Sequence, residues 1–93
     1  MANAIITFEV MPKSPESDFE AIKEQALVIA KKHGAKGDMQ SSIEPIAFGL
    51  KKVVILGMYE ISDDKDFDQI ADEMAEIADV GSSKVAKMDL AMG

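Results

Sequence analysis

The side chains that could do chemistry are few and scattered. His33 is the only histidine; a metal bound there would lack partners, and its place at the expected end of a helix suits a cation against the dipole. Eight acids fall within residues 63–79 (Asp63, Asp64, Asp66, Asp68, Asp72, Glu73, Glu76 and Asp79), but without the central glycine and terminal glutamate of an EF-hand loop, so a solvated helix face accounts for them better than calcium. Ser41-Ser42 and Ser82-Ser83 have no base beside them in sequence and read as turn residues. The glycines at 34, 37, 49, 57 and 81 form neither phosphate-binding pattern. No catalytic constellation remains, no cofactor or metal is expected, and the chemistry on offer is that of a binding surface.

Composition narrows the setting. Ninety-three residues suffice for one core, hence a single domain over 1–93. There is no apolar run of roughly 20 residues to span a bilayer. Met-Ala-Asn-Ala carries no basic region ahead of an apolar stretch, so no secretory signal is expected. With no cysteine in the chain, the cytoplasm is the expected compartment and ordinary packing must hold the fold. The net charge of -7 is concentrated: residues 63–79, with Lys65 the one base among eight acids, sum to -7, and the other nine acids and nine lysines cancel. That acidic pole would repel a phosphate backbone, and no arginine is present to fork onto phosphates or bases, which argues against direct nucleic-acid binding.

The elements that position these groups follow from periodicity. Residues 4–11 alternate Ile6, Phe8 and Val10 with Thr7 and Glu9, a half-buried strand. Met11-Pro12-Lys-Ser-Pro15 breaks it, and Ser17-Asp-Phe-Glu20 has the form of a capping box for a helix over about 18–33. Phe19, Ile22, Ala26 and Ile29 share one face of that helix, which Gly34 closes. Residues 35–47 give a less regular second strand whose Pro45 marks an edge or an end. Leu50 to Ile61, centred on Val53-Val-Ile-Leu56, is the clearest strand and reads as central. Asp66 and Gln69 open a second helix ending near Asp79, striped by Phe67, Ile70, Met74 and Ile77. Ser83 to Leu90 forms a last strand. The order β-α-β-β-α-β predicts a ferredoxin-like α+β fold, with a four-stranded antiparallel sheet of order 4-1-3-2 and both helices on one face. The loop after the second strand then lies at one end of the sheet and the C-terminus at the other.

Phe48 stands between Ala47 and Gly49 in that loop, ahead of Lys51 and Lys52. Two placements fit it equally: exposed as an anchor for a protein partner, or folded under the loop to cap the core. Among seven methionines, Met58 and Met74 read as core, while Met92, beyond the last strand, fits a partner contact as well as a frayed end.

Glu44-Pro-Ile-Ala-Phe-Gly-Leu-Lys-Lys-Val-Val-Ile-Leu56 resembles the elongation factor 1-beta family. Pro-Ile-Ala-Phe-Gly-Leu is like the archaeal members, as are the opening strand and Met11-Pro12-Lys-Ser-Pro15, and Gly-Leu-Lys-Lys is like the wider family. The resemblance covers nearly the whole chain and implies the same ferredoxin-like fold. It further implies a nucleotide-exchange factor without covalent chemistry, whose partner is the GTPase elongation factor 1-alpha. By analogy, Phe48, with Gly49, Lys51 and Lys52 around it, docks into the GTPase domain that otherwise receives the aminoacyl end of tRNA. The opposite end, with Lys87, Leu90 and Met92, disturbs the magnesium and phosphate site.

One departure stands out. Relatives carry a basic residue close to the C-terminus, whereas this chain ends Met88-Asp-Leu-Ala-Met-Gly93, with Leu90 or Ala91 in its place. Either Lys87 or Lys84 substitutes from earlier in the strand, or exchange relies less on a cation. Two other classes share the fold: a regulatory or oligomerising small-molecule-binding domain, which a stable dimer would favour, and a ferredoxin-like enzyme, which would need polar groups converging on a pocket.

Overall fold

Strict alternation makes β1 a strand with one greasy side: in Asn3–Pro12, Ala4, Ile6, Phe8 and Val10 are fully buried and the residues between them only partly so. A computed structural model describes residues 3–62 and 66–91. In it β1 is followed by α1 (Phe19–Lys32), β2 (Lys36–Pro45), β3 (Lys51–Glu60), α2 (Phe67–Met74) and β4 (Val80–Ala91). The strands form one antiparallel sheet of order β2-β3-β1-β4. This is the expected 4-1-3-2 arrangement, with β3 central and Pro45 closing an edge strand. Both helices pack into one apolar cluster with the buried side of the sheet, the ferredoxin-like plan.

Local chemistry sets the helix ends, in places differently from expectation. Asp18, not Ser17, caps α1: its carboxylate accepts from the Ala21 N–H at 3.1 Å, while the Ser17 hydroxyl accepts from the Ser14 N–H at 3.3 Å and holds the preceding turn. At the other end Gly34 takes φ 102°, its N–H donates to Lys31 O, and the Ala35 N–H donates to Ala30 O, a Schellman closure. The fully buried stripe of α1 is Ile22, Ala26 and Ala30; Phe19 and Ile29 are only half-buried. Asp66 caps α2 as its position suggests, accepting from the N–H groups of Asp68 and Gln69. α2 stops at Met74, short of Asp79: beyond Ala75 the bonding tightens to three-residue steps, with the Glu76 N–H donating to Glu73 O and the Ile77 N–H to Met74 O, and the chain then turns through Asp79 at φ 69°, where the Lys13 N–H donates to Asp79 O at 2.7 Å. Ile77 is buried all the same.

Three further expectations are corrected. Ser41-Ser42 and Ser82-Ser83 are strand residues, paired with Ile55, Val54, Met11 and Val10, because cross-strand pairing overrides their turn preference. The last strand begins at Val80 rather than Ser83. Met74 is core, but Met58 is not: it lies opposite Ile5 on the sheet face away from the helices, one residue out of phase with buried Tyr59.

Tyr59 is the largest fully buried side chain. Its ring meets Phe8 edge-on at 6.1 Å and Phe67 at 5.3 Å, and its hydroxyl donates to Ala30 O at 3.0 Å. Burial pushes the phenol from 10.0 up to about 12. The unfolded chain therefore ionises first as pH rises, so this contribution is intact below pH 10 and disappears through about pH 12. The loss amounts to at most about 3 kcal/mol for a two-unit shift. Tyr59→Phe is expected to cost about 1 kcal/mol at neutral pH, since Ala30 O keeps the Ala35 donor, and to lose less stability than the parent between pH 10 and 12. Urea unfolding across that range checks both.

Candidate functional site

The β2–β3 connection is a tight hairpin turn. The Ile46 N–H donates to Leu50 O at 2.8 Å, and the Leu50 N–H donates back to Ala47 O at 3.2 Å. The two residues between, Phe48 and Gly49, have φ of 61° and 76°, the pattern of a type I′ turn. Gly49 is there for its φ alone, as a Cβ would meet nothing within 4 Å. Phe48 breaks the rule: a bulky side chain in the left-handed region costs about 1–2 kcal/mol relative to right-handed backbone. It is also 95% exposed, so no core contact offsets that cost. Of the two placements the sequence allowed, the structure takes the exposed one.

The adjacent lysines do not make one basic patch. Strand alternation sends Lys51 to the helix side, where its ammonium sits 5.7 Å from the Phe19 ring centroid. Lys52 goes to the open face and donates to Glu9 at 3.1 Å, with Glu44 at 4.0 Å. Lys84 reaches the other Glu9 oxygen at 3.9 Å. Around the turn, Ile46 and Leu50 are half-buried, while Ala47, Phe48 and Gly49 between them are exposed.

The opposite end of the sheet carries the other candidates. β4 descends from Val80 beside Pro12 to Ala91 beside Asn3, while β3 begins at Lys51 beside the hairpin turn. Lys87 pairs across from Thr7 on the open face, and its ammonium lies 3.6 Å from Asp89. Leu90 pairs with Ala4, so it points to the helix side, yet it is 69% exposed. Lys87 and Leu90 thus leave the edge strand on opposite faces, and Met92 lies outside the described residues. Of the two lysines that could replace the missing terminal base, Lys84 lies further from that end, 3.9 Å from Glu9, and both therefore have a carboxylate nearby. The molecule is 42 Å long, and the nine steps of β3 alone span about 30 Å between the two ends.

The acidic segment behaves as a solvated face. Asp66, Asp68, Asp72, Glu76 and Asp79 are exposed, and Asp63, Asp64 and Lys65 lie outside the described residues. Glu73 is the exception: the Lys32 ammonium at 2.7 Å, and then the His33 ring at 3.3 Å, hold its carboxyl below the usual carboxylate range. His33 therefore helps join the end of α1 to α2. Among the described residues no three His, Cys, Asp or Glu side chains group to hold a metal ion. Nor, among the described residues, is any helix long and apolar enough to cross a membrane. Sequence reasoning missed the Glu9–Lys52–Lys84 network and the Lys51–Phe19 contact; strand alternation carried the signal for which lysine faces which side.

Residues 5–90 match the EF-1 guanine nucleotide exchange domain. A protein named elongation factor 1-beta from Methanococcus vannielii is 36% identical over 92 residues, covering 97% of this chain and 99% of the relative. One of the same name from Methanococcus maripaludis is 36% identical over 90 residues with the same coverage. One from Pyrococcus abyssi is 35% identical over 88 residues, covering 89% of each.

Phe48→Asn, which relieves the left-handed backbone and removes no core contact, is expected to raise the unfolding free energy by about 0.5–1 kcal/mol. Urea denaturation measures it. A loss of stability would mean that the ring holds the fold after all.

Proposed function

Because the chain belongs to the EF-1 guanine nucleotide exchange domain family of translation elongation, we propose that it promotes exchange of GDP for GTP on elongation factor 1-alpha. It does so by binding and stabilising the nucleotide-free GTPase, with no covalent chemistry of its own. The observation that supports this most is Phe48: an aromatic held in a costly backbone conformation and wholly exposed has no use within the free molecule.

Physically, a factor that binds the empty GTPase more tightly than the GDP-bound one must weaken GDP by the same ratio. Phe48 supplies the anchor at one end. Its χ angles are few, its backbone is fixed by the two turn hydrogen bonds, and its burial in a partner pocket loses little conformational freedom. Lys51 and Gly49 flank it, whereas Lys52 is already paired and serves the sheet. At the other end the Lys87 ammonium is drawn toward Asp89, that is, toward the C-terminus, which shortens the gap left by the missing terminal base. A cation brought near the GTPase magnesium site disfavours the metal by like-charge repulsion and loosens the diphosphate it holds. Leu90, and Met92 beyond the described residues, would act there by contact. These events are placed in the cytoplasm, where translation occurs.

Phe48→Ala is expected to leave thermal stability nearly unchanged and to weaken GTPase binding by about 2 kcal/mol or more, roughly 30-fold, as read by calorimetry. Release of labelled GDP tests the other end. Lys87→Ala slows it if the cation is the working group, and deletion of residues 89–93 slows it if contact is. Unchanged release with both variants would remove the C-terminal end from the mechanism.

A further inference from the structure

The ladder between β2 and β3 is interrupted near its start. Lys36 pairs with Met58 and Gln40 with Leu56, so Gly37, Asp38 and Met39 stand against Gly57 alone, a bulge that adds residues to β2. Gly37 takes φ 64°, and a Cβ there would meet nothing within 4 Å, so the bulge requires glycine for its angle alone. Met39 packs against the core, and alternation sends Asp38 and Gln40 the other way, onto the open face. There they wall a cavity of about 180 Å³ whose other lining is Ile5, Leu56, Gly57 and Met58. Ile5 and Leu56 are half-buried and Met58 is 36% exposed, on the side away from both helices.

Charge on the open face is matched except at this cavity. Glu9 has Lys52 at 3.1 Å and Lys84 at 3.9 Å, Glu44 has Lys52 at 4.0 Å, Glu60 has Lys36 at 3.3 Å, and Asp89 has Lys87 at 3.6 Å. Each lysine of that face is thereby engaged. Among the described residues Asp38 has no ammonium within 4.0 Å, so a cation placed on it comes from outside the chain. The lining says what carries that cation. About 150 Å³ of apolar cavity holds a benzene ring, so this space takes one ring, or an alkyl body of that size, with a short arm. The Asp38 carboxylate accepts from a charged N–H, and the Gln40 amide oxygen offers a second acceptor beside it. A protein side chain would bring its backbone past the Lys36–Glu60 pair on one side and the Lys87–Asp89 pair on the other, whereas a free amine would not. We propose that this cavity binds a small organic cation, an ammonium or amidinium on a compact apolar body, with its charge on Asp38 and its body on Ile5, Leu56 and Met58. The ligand is small and the cavity opens to water, so the dissociation constant is in about the millimolar range. The proposal does not rest on the exchange reading.

Amide NMR of the full chain, titrated with benzylamine at neutral pH and constant ionic strength, reads the site without any GTPase. Saturable shifts are expected at residues 37–40 and 56–58. Benzyl alcohol, the neutral isostere, should bind about fivefold more weakly. Asp38→Asn should lower the affinity for benzylamine about fivefold and leave that for benzyl alcohol unchanged, whereas Asp68→Asn, an exposed acid of α2, should change neither. Met58→Lys, at an exposed position in the lining, supplies an ammonium from within the chain and should abolish saturable binding. Shifts that never saturate overturn the proposal, as does equal affinity for the amine and the alcohol. Equal loss from Asp38→Asn and Asp68→Asn would reduce the effect to attraction by net charge and overturn it as well. So would tighter binding of Nα-acetylarginine amide than of benzylamine, which would give the cavity to a protein side chain.

Discussion

The hydroxyl of Tyr59 and the carbonyl of Ala30 fix the relation between the sheet and its cover. Tyr59 belongs to the central strand, its ring packs on Phe8 of β1 and Phe67 at the start of α2, and its hydroxyl bonds the last turn of α1. Four of the six elements thus meet at one side chain. The carbonyl it reaches also accepts from Ala35, so the same atom closes α1 and launches β2. Gly57 makes the arrangement possible: a Cβ there would come within 3.1 Å of the Tyr59 ring and 3.4 Å of Ala35. A residue chosen for its absent side chain lets an aromatic lie flat along its own strand.

With the helices held over one face, what remains uncovered follows from lengths and alternation. Strands of ten to twelve residues outrun the eight residues of α2, so the end of β4 stays bare. The hairpin turn stays bare for another reason. Its backbone is satisfied by two internal hydrogen bonds and asks nothing of the core, which leaves the Phe48 side chain free to project. Between the two ends, the open face is held by Glu9, which collects Lys52 and Lys84 across three strands. The Lys84 end of this network is exposed and contributes little to stability, while the Glu9–Lys52 pair is part-buried. Their effect is to use up two cations that a sequence reading would have counted as available to a partner.

Much of this was legible beforehand because it rests on period. The 2-residue repeat of Ile6, Phe8 and Val10 and the 3.6-residue repeat of Phe67, Ile70 and Met74 report directly which side chains are buried. From those repeats the order of elements and then the strand order follow, since right-handed connection leaves one arrangement. The errors fall where a local preference had a competitor. Ser17 fitted a capping box, but Asp18 one residue on made the cap and Ser17 served the turn before it. Serine pairs looked like turns until cross-strand neighbours placed them in strands. Met58 looked like core because its run is apolar, and only the phase set by Tyr59 shows that it faces out. Phe48 could not be resolved from sequence because the answer lies in a backbone angle. Residue type argues against a left-handed phenylalanine, and the hairpin's twist requires one.

The geometry of the two ends bears on how an exchange factor could select among states of its partner. A ligand that contacts two domains through a flexible joint adapts to any spacing and shifts no equilibrium between them. Here the exposed Phe48 at the hairpin turn and the strand end at Lys87 are joined by continuous β-sheet. β3 leads from the hairpin turn into pairing with β1, and β1 pairs with β4 down to its end. Shortening or lengthening that connection would require slipping an antiparallel register, which turns every buried side chain of the strand outward. The distance between the two ends is therefore as stiff as the core itself. A partner whose two contact sites match that distance in only one of its conformations would be held in that conformation, and the binding energy of the anchor would appear as displacement at the far end.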